Sequence, residues 1–208
     1  SEDIEIKNFR DKTFRIFTKD NQKIIENSEG IKFFLRYIQT NNTITETFIR
    51  NLHHINSKID FKDKVVIDVG SECGDTPLYF ASKGATVYAF EPIKEHFEAL
   101  SKNLSLNEKL SKSIIPINAA IGKDELLTFY RDNSTDIGTS ASFVYNKHGP
   151  DARTSKIQGM SLSTVFKKYN ITRIDLLKTD CKGCEFFLND NELKQIDRIK
   201  IEYVAKGK

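Results

Sequence analysis

The chain is punctuated by short apolar runs that alternate with amphipathic stretches and glycine-bearing turns. Val65, Val66, Ile67 and Val69 form a β-branched run with no helical period, as a buried parallel strand does. Gly70 and Gly74 break that run. Asp75, Thr76 and Pro77 then supply capping residues and a proline suited to a first helical turn, Leu78 to Ser82 reads as helix, and Gly84 stops it. A second strand, Thr86 to Phe90, ends in Glu91. Ile93, Phe97, Leu100 and Leu104 mark one helical face that runs to Asn107, and Ile114 to Ile117 is a third strand that Pro116 places near a sheet edge. Leu126 to Arg131 predicts an extra strand, and Asp132 to Ile157 a long polar loop. Ser161 to Tyr169 is a helix with Leu162, Val165, Phe166 and Tyr169 on one face. Ile174 to Thr179 is a fourth strand, followed by a helix carrying Phe187, Leu188 and Leu193, and Ile199 to Val204 is a fifth strand.

Residues 1–60 follow a different pattern. Thr13 to Phe17 and Lys23 to Asn27 predict a hairpin, with the turn in the TKDNQ between them. Two helices are expected next, over Gly30 to Gln39 on Ile31, Phe34, Leu35 and Ile38, and over Thr45 to Ile55 on Phe48, Ile49, Leu52 and Ile55. The organisation expected is an accessory segment over 1–60 and an α/β domain over 61–208, whose strands wind in the order 3-2-1-4 so that the fourth lies beside the first.

That order brings chemistry together at the carboxyl edge of the sheet. Glycines allow a ligand to approach the backbone, a helix start offers N–H donors, and an acid at the next strand tip can accept from both hydroxyls of a ribose. An adenosine-containing cofactor is therefore expected. Where a dinucleotide site has G-x-G-x-x-G, this chain has Gly70, Glu72 and Gly74, and Glu72 would repel a pyrophosphate but could face the cationic end of S-adenosylmethionine. The cofactor residues expected are Asp68, Gly70, Ser71, Glu72, Gly74, Asp75 and Thr76 around the methionine part, Glu91 with Pro92 at the ribose, and Asn118 with Ala119 at the adenine. The alternatives are a turn that only packs helix on strand, and a tight turn at Asn118.

At the end of the fourth strand stand Asp180 and Glu185, with Lys182 between them. Methyl transfer from a sulfonium is an in-line displacement in which alignment and water exclusion do most of the work, and a hydroxyl nucleophile also needs its proton removed. Asp180 or Glu185 could serve as that base, or the two acids could merely cap the next helix. Cys181 and Cys184 permit a rival redox reading for a C-x-x-C at a helix start. A zinc site lacks a visible fourth ligand, so no metal is assigned. Cys73 follows the first strand, so all three thiols are expected near the cofactor mouth.

Composition narrows the partners. The 208 residues hold 32 Lys+Arg against 29 Asp+Glu, a formal +3 spread along the chain, so no nucleic-acid surface is expected. No apolar stretch reaches membrane-span length and no leader opens the sequence, which makes a cytoplasmic protein the expectation. Three cysteines make no disulfide framework.

VIDVGSECGDTPLYFASKGATVYAFEP resembles the first motifs of class I S-adenosylmethionine-dependent methyltransferases, in particular the FkbM family. INAAIG (Ile117 to Gly122) and IDLLKTDCKGCEFFL (Ile174 to Leu188) resemble that family's next two blocks. The resemblance runs from Phe61 to Tyr203 in the right order and implies a Rossmann-like, three-layer αβα fold. It also implies a substrate-side role for Gly138 to Ser142. The chain departs from the family at Lys182, where an acid is usual, which leaves metal use and substrate class open. It also has few residues after the fifth strand, so the usual terminal strand pair is expected to be missing and the bare edge could pair with the hairpin or with a second subunit. The activity expected is O-methylation of a small molecule or glycan hydroxyl. A cofactor-binding protein without transferase activity and an NAD-dependent oxidoreductase are the alternatives.

Overall fold

The computed structural model describes residues 5–9, 12–38, 41–52, 59–131, 149–181 and 183–201. In chain order, β1 (Glu5–Phe9), β2 (Lys12–Lys19), β3 (Gln22–Asn27) and β4 (Lys32–Phe34) are followed by a 3-10 turn (Leu35–Tyr37). A helical stretch comes next, α1 (Asn41–Ile44) running into a π turn (Thr45–Ile49). Then come β5 (Val65–Val69), α2 (Asp75–Ser82), β6 (Thr86–Phe90), α3 (Lys94–Ser105), α4 (Glu108–Ser111), β7 (Ile114–Ile117), β8 (Ala120–Ile121) and β9 (Leu126–Arg131). The remainder is β10 (Arg153–Met160), α5 (Leu162–Tyr169), β11 (Leu176–Thr179), a 3-10 turn (Cys184–Phe187), α6 (Asp190–Leu193) and β12 (Ile199–Ile201).

The central sheet has the order β12-β11-β5-β6-β7, and all of its pairings are parallel. The fourth strand therefore does lie beside the first, and β7, which carries Pro116, is an edge strand as its missing N–H requires. Alternation along β5 sends Val66 into one apolar cluster with Leu78, Phe80 and Leu100, and Ile67 and Val69 into another with Leu162, Val165 and Ile174. Both faces of a parallel strand are thus covered, which is why its sequence reads as an unbroken apolar run. This is a mixed α/β protein built on a parallel sheet, and none of its described helices is long and apolar enough to cross a membrane.

The hairpin forms with Asp20 and Asn21 at its tip, both at positive φ, the two-residue turn that matches strand twist. It belongs to a separate antiparallel sheet, β1-β2-β3-β4, rather than extending the central one. The helix expected over Gly30 to Gln39 is absent. Ile31 and Phe33 are buried and β4 pairs with β3, so two-residue alternation into a core overrides a spacing that also suits a helix. Of the second expected helix, Thr45 to Ile49 is helical and buries Phe48, but Leu52 is exposed and Ile55 lies outside the described residues. Phe14, Ile31, Phe33, Ile44 and Phe48 join the cluster that holds Leu78 and Phe80, so the N-terminal sheet packs on the α2 side of the central one.

Two further expectations change. Part of the long loop is strand, because β10 pairs antiparallel with β9 and parallel with β8. Its exposed residues are mostly polar, which hid it. The helix expected on Phe187, Leu188 and Leu193 is a 3-10 turn followed by a single α turn, where Asn189 and Glu192 form a capping box. Gly138 to Ser142, Lys182, and the end of the fifth strand beyond Ile201 lie outside the described residues.

Candidate functional site

The carboxyl ends of β5, β6 and β11 meet where the chain switches winding direction, and the expected residues collect there. Gly70 has φ +80, and a Cβ on it would stand 2.2 Å from the carbonyl oxygen of Asp180, so only glycine lets the two strand ends approach this closely. The N–H groups of Gly70 and Ser71 both donate to Phe90 O, and Asp180 N donates to Val69 O, which locks the tips of β5, β6 and β11 into one frame. Gly74 is the residue before α2 and also has positive φ. It carries no side-chain cap, so Asp75 and Thr76 stand inside the first turn rather than capping it.

Glu91 is buried at the tip of β6. Glu72 N donates to one of its carboxylate oxygens at 2.9 Å and Ile93 N to the other at 2.8 Å. Burial nevertheless pushes its pKa up to about 8, the two N–H bonds pulling the other way. His96 Nδ1 lies 3.7 Å from the same carboxylate, and burial holds that imidazole down at about 4, so it is neutral at pH 7 and the contact is not an ion pair. Asn118 donates through its side-chain amide to Glu91 O (2.8 Å) and Pro92 O (3.2 Å), and so ties the end of β7 to this turn. Ala119 is buried beside it.

Asp68 is fully buried one residue before the end of β5. Directly across the ladder stands Lys178, whose Nζ lies 2.9 Å from Asp68 Oδ1 and donates to Gly70 O at 3.3 Å. Burial alone would lower the lysine pKa, but the carboxylates of Asp68 and Asp180 outweigh it and keep the ammonium charged. Thr76 donates its hydroxyl to the other Asp68 oxygen, and Thr47, from the N-terminal segment, donates to Asp75. Burial raises Asp75 to about 7 despite that bond, with Glu72 and Asp68 adding repulsion. Cys73 is buried 3.9 Å from Asp75, and burial raises its thiol pKa well above the ordinary value, so it is not a reactive thiolate. Among the described residues, the site therefore gathers acids around one buried cation, Lys178.

At the end of β11, Glu185 accepts from Gly183 N at 2.9 Å and lies 3.5 Å from Cys181 Sγ. Cys181 and Cys184 are joined by a disulfide. Cys73 is a free thiol and takes no part in it. A cavity of about 320 Å³ lies at the opposite end of the sheet, among Phe61, Lys64, Asp175 and Arg198. There Lys64 and Asp175 form an ion pair (3.0 Å), and Asp175 also accepts from Val65 N.

Lys178, His96, Thr47 and Asn103 were not anticipated from sequence. For Lys178 a signal existed: a lone lysine in an apolar strand, level with a lone aspartate in the neighbouring strand. His96 offered none, since a histidine on the first turn of an amphipathic helix reads as surface.

The glycine turn and the buried strand-tip acid thus lie at the switch point of a parallel α/β sheet, where open sheets of this class bind their ligands. Residues 68–207 match the model of the methyltransferase FkbM domain, and the chain belongs to that family. It is also similar to methyltransferase sdnD of Sordaria araneosa, at 29% identity over 147 residues, which cover 58% of this chain and 57% of that protein. The chain thus matches just over half the length of that relative.

Proposed function

We propose that this protein is an S-adenosylmethionine-dependent methyltransferase acting on an oxygen of a small molecule or glycan. The reading adds a Rossmann-like, three-layer αβα arrangement and an accessory role for residues 1–60. The observation that carries it is the placement of Glu91. This acid stands at the tip of β6 with each carboxylate oxygen oriented by a backbone N–H, next to a glycine turn walled by Glu72, Asp68 and Asp75. Such a wall repels a pyrophosphate and suits a ligand with ammonium and sulfonium charges. The residues present thus fit the cofactor that the family implies.

Gly70, Ser71, Glu72 and Gly74, with Asp68, Asp75 and Thr76 behind them, would hold the methionine part. Glu91 and Pro92 would hold the ribose, and Asn118 and Ala119 would border the adenine. When bound, the cofactor supplies an electrophilic methyl group on a positively charged sulfur. Lys178 keeps the surrounding acids from repelling one another and fixes the height of the glycine turn through Gly70 O. Asp180, level with that turn, would take the proton of an acceptor hydroxyl, with Glu185 as the second acid on the same segment. The test is turnover: incubation with S-adenosylmethionine and a panel of hydroxylated acceptors should yield S-adenosylhomocysteine and a methylated product, and Asp180→Asn should slow it by about 10²-fold or more. Cofactor binding without turnover on any acceptor would defeat the transferase half of the reading.

A further inference from the structure

The disulfide lies one residue from Asp180, in the segment where β11 hands over to its 3-10 turn. We infer that Cys181 and Cys184 form a redox modification site, reversible by thiol–disulfide exchange, whose oxidised state holds the reacting edge in its binding-competent form. The inference rests on the methyltransferase reading only for the ligand used to detect it.

The two sulfurs differ in environment. Cys184 is fully buried in the cluster of Val69, Ile121 and Leu162, whereas Cys181 packs on the edge of that cluster, is half-buried and is the more exposed cysteine of the pair. Gly183 N is bound to the Glu185 carboxylate and Cys184 N donates to Cys181 Sγ at 3.2 Å, so the same short segment carries both the crosslink and the acid. Asp180 O presses against Gly70, and Asp180 N is bound to Val69 O. A change in the 181–184 segment is therefore transmitted directly to the glycine turn. Reduction consumes two equivalents of a low-molecular-weight thiol. The Cys181–Cys184 bond breaks, each sulfur gains a proton, and the reductant leaves as its own disulfide; oxidation by such a disulfide is the reverse. Opening the crosslink restores conformational freedom to Asp180, Gly183 and Glu185 together.

The experiment equilibrates the full chain in mixtures of reduced and oxidised glutathione. It then counts free thiols by maleimide trapping and mass spectrometry under native conditions, and measures S-adenosylhomocysteine affinity by calorimetry in the same buffers. The expected result is a two-thiol transition confined to Cys181 and Cys184, with Cys73 unlabelled, and affinity severalfold weaker in the reduced protein. The Cys181→Ser, Cys184→Ser variant should bind as the reduced protein does, whatever the buffer. Equal affinity in both redox states, or a pair that never exchanges, overturns the switch and leaves the methyltransferase reading standing. Absence of binding in every buffer overturns both.

Discussion

Lys178 and Asp68 show most plainly how single residues build this site. Neither group can be removed alone without leaving the other buried and uncompensated, which costs about 3–5 kcal/mol. Lys178→Met should therefore lower unfolding free energy by about that amount, while the Lys178→Met, Asp68→Asn double variant loses distinctly less, as denaturant titration would show. A double-variant loss equal to the sum of the Lys178→Met and Asp68→Asn single losses would mean that the pair is not coupled. Asp75 and Glu91 act in the opposite sense, because burial raises both of their pKa values, to about 7 and about 8. Their unfolded forms release protons near pH 4, the folded forms only near pH 7 to 8, so the folded state holds more protons across that interval. Stability contributed in acid is then lost as pH rises through it. His96, which burial holds at about 4, acts in the opposite sense below its ordinary value of 6.5, so the expected melting temperature falls between about pH 6.5 and pH 8. The Asp75→Asn, Glu91→Gln variant flattens that fall; a melting temperature that climbs over this interval would refute the assignment. Asp175, Asp124 and Glu95, whose pKa values are lowered, act only below about pH 5 and do not mask the effect.

At the scale of elements, the N-terminal sheet is fastened to the glycine turn through α3 and through Asn107 just before α4. Asn103 on α3 accepts from Phe34 N and donates to Cys73 O, and Asn107 makes two bonds to Lys32 of β4. Asn103→Ala should cost about 1–3 kcal/mol for each buried backbone group left unsatisfied. It should also weaken S-adenosylhomocysteine binding, since Cys73 lies in the glycine turn; stability lost with affinity intact would place Asn103 outside the cofactor turn. These polar links explain what sequence could and could not convey. The parallel strands were legible because burial on both faces leaves an apolar run, and the glycine turn because Gly70 and Gly74 both stand at positive φ. By contrast, the β4 segment was ambiguous, since Ile31, Phe33, Phe34 and Leu35 satisfy both a two-residue and a helical spacing until β3 is present as a pairing partner. The strand β10 was hidden by exposure, and Thr47's bond to Asp75 by a tertiary contact that leaves no local trace.

For the whole molecule, the order of β11-β5-β6-β7 was implied by the alternation of strands and helices, and with it the meeting of Asp68, Gly70, Glu91 and Asp180 at one edge, while the place of β12 beside β11 was not. The disulfide was not implied, because a C-x-x-C at a strand end reads equally well as free thiols, metal ligands or a crosslink. The proposed function has a consequence at this scale: acids gathered around the buried Lys178 should favour a cationic ligand over a nucleotide phosphate. Calorimetry on the intact folded chain tests this most directly, by titrating S-adenosylhomocysteine, S-adenosylmethionine and NADH in turn. The account predicts saturable binding of both adenosyl compounds, lost in Glu91→Ala, and none of NADH. NADH binding, or no heat with either adenosyl compound, would contradict it.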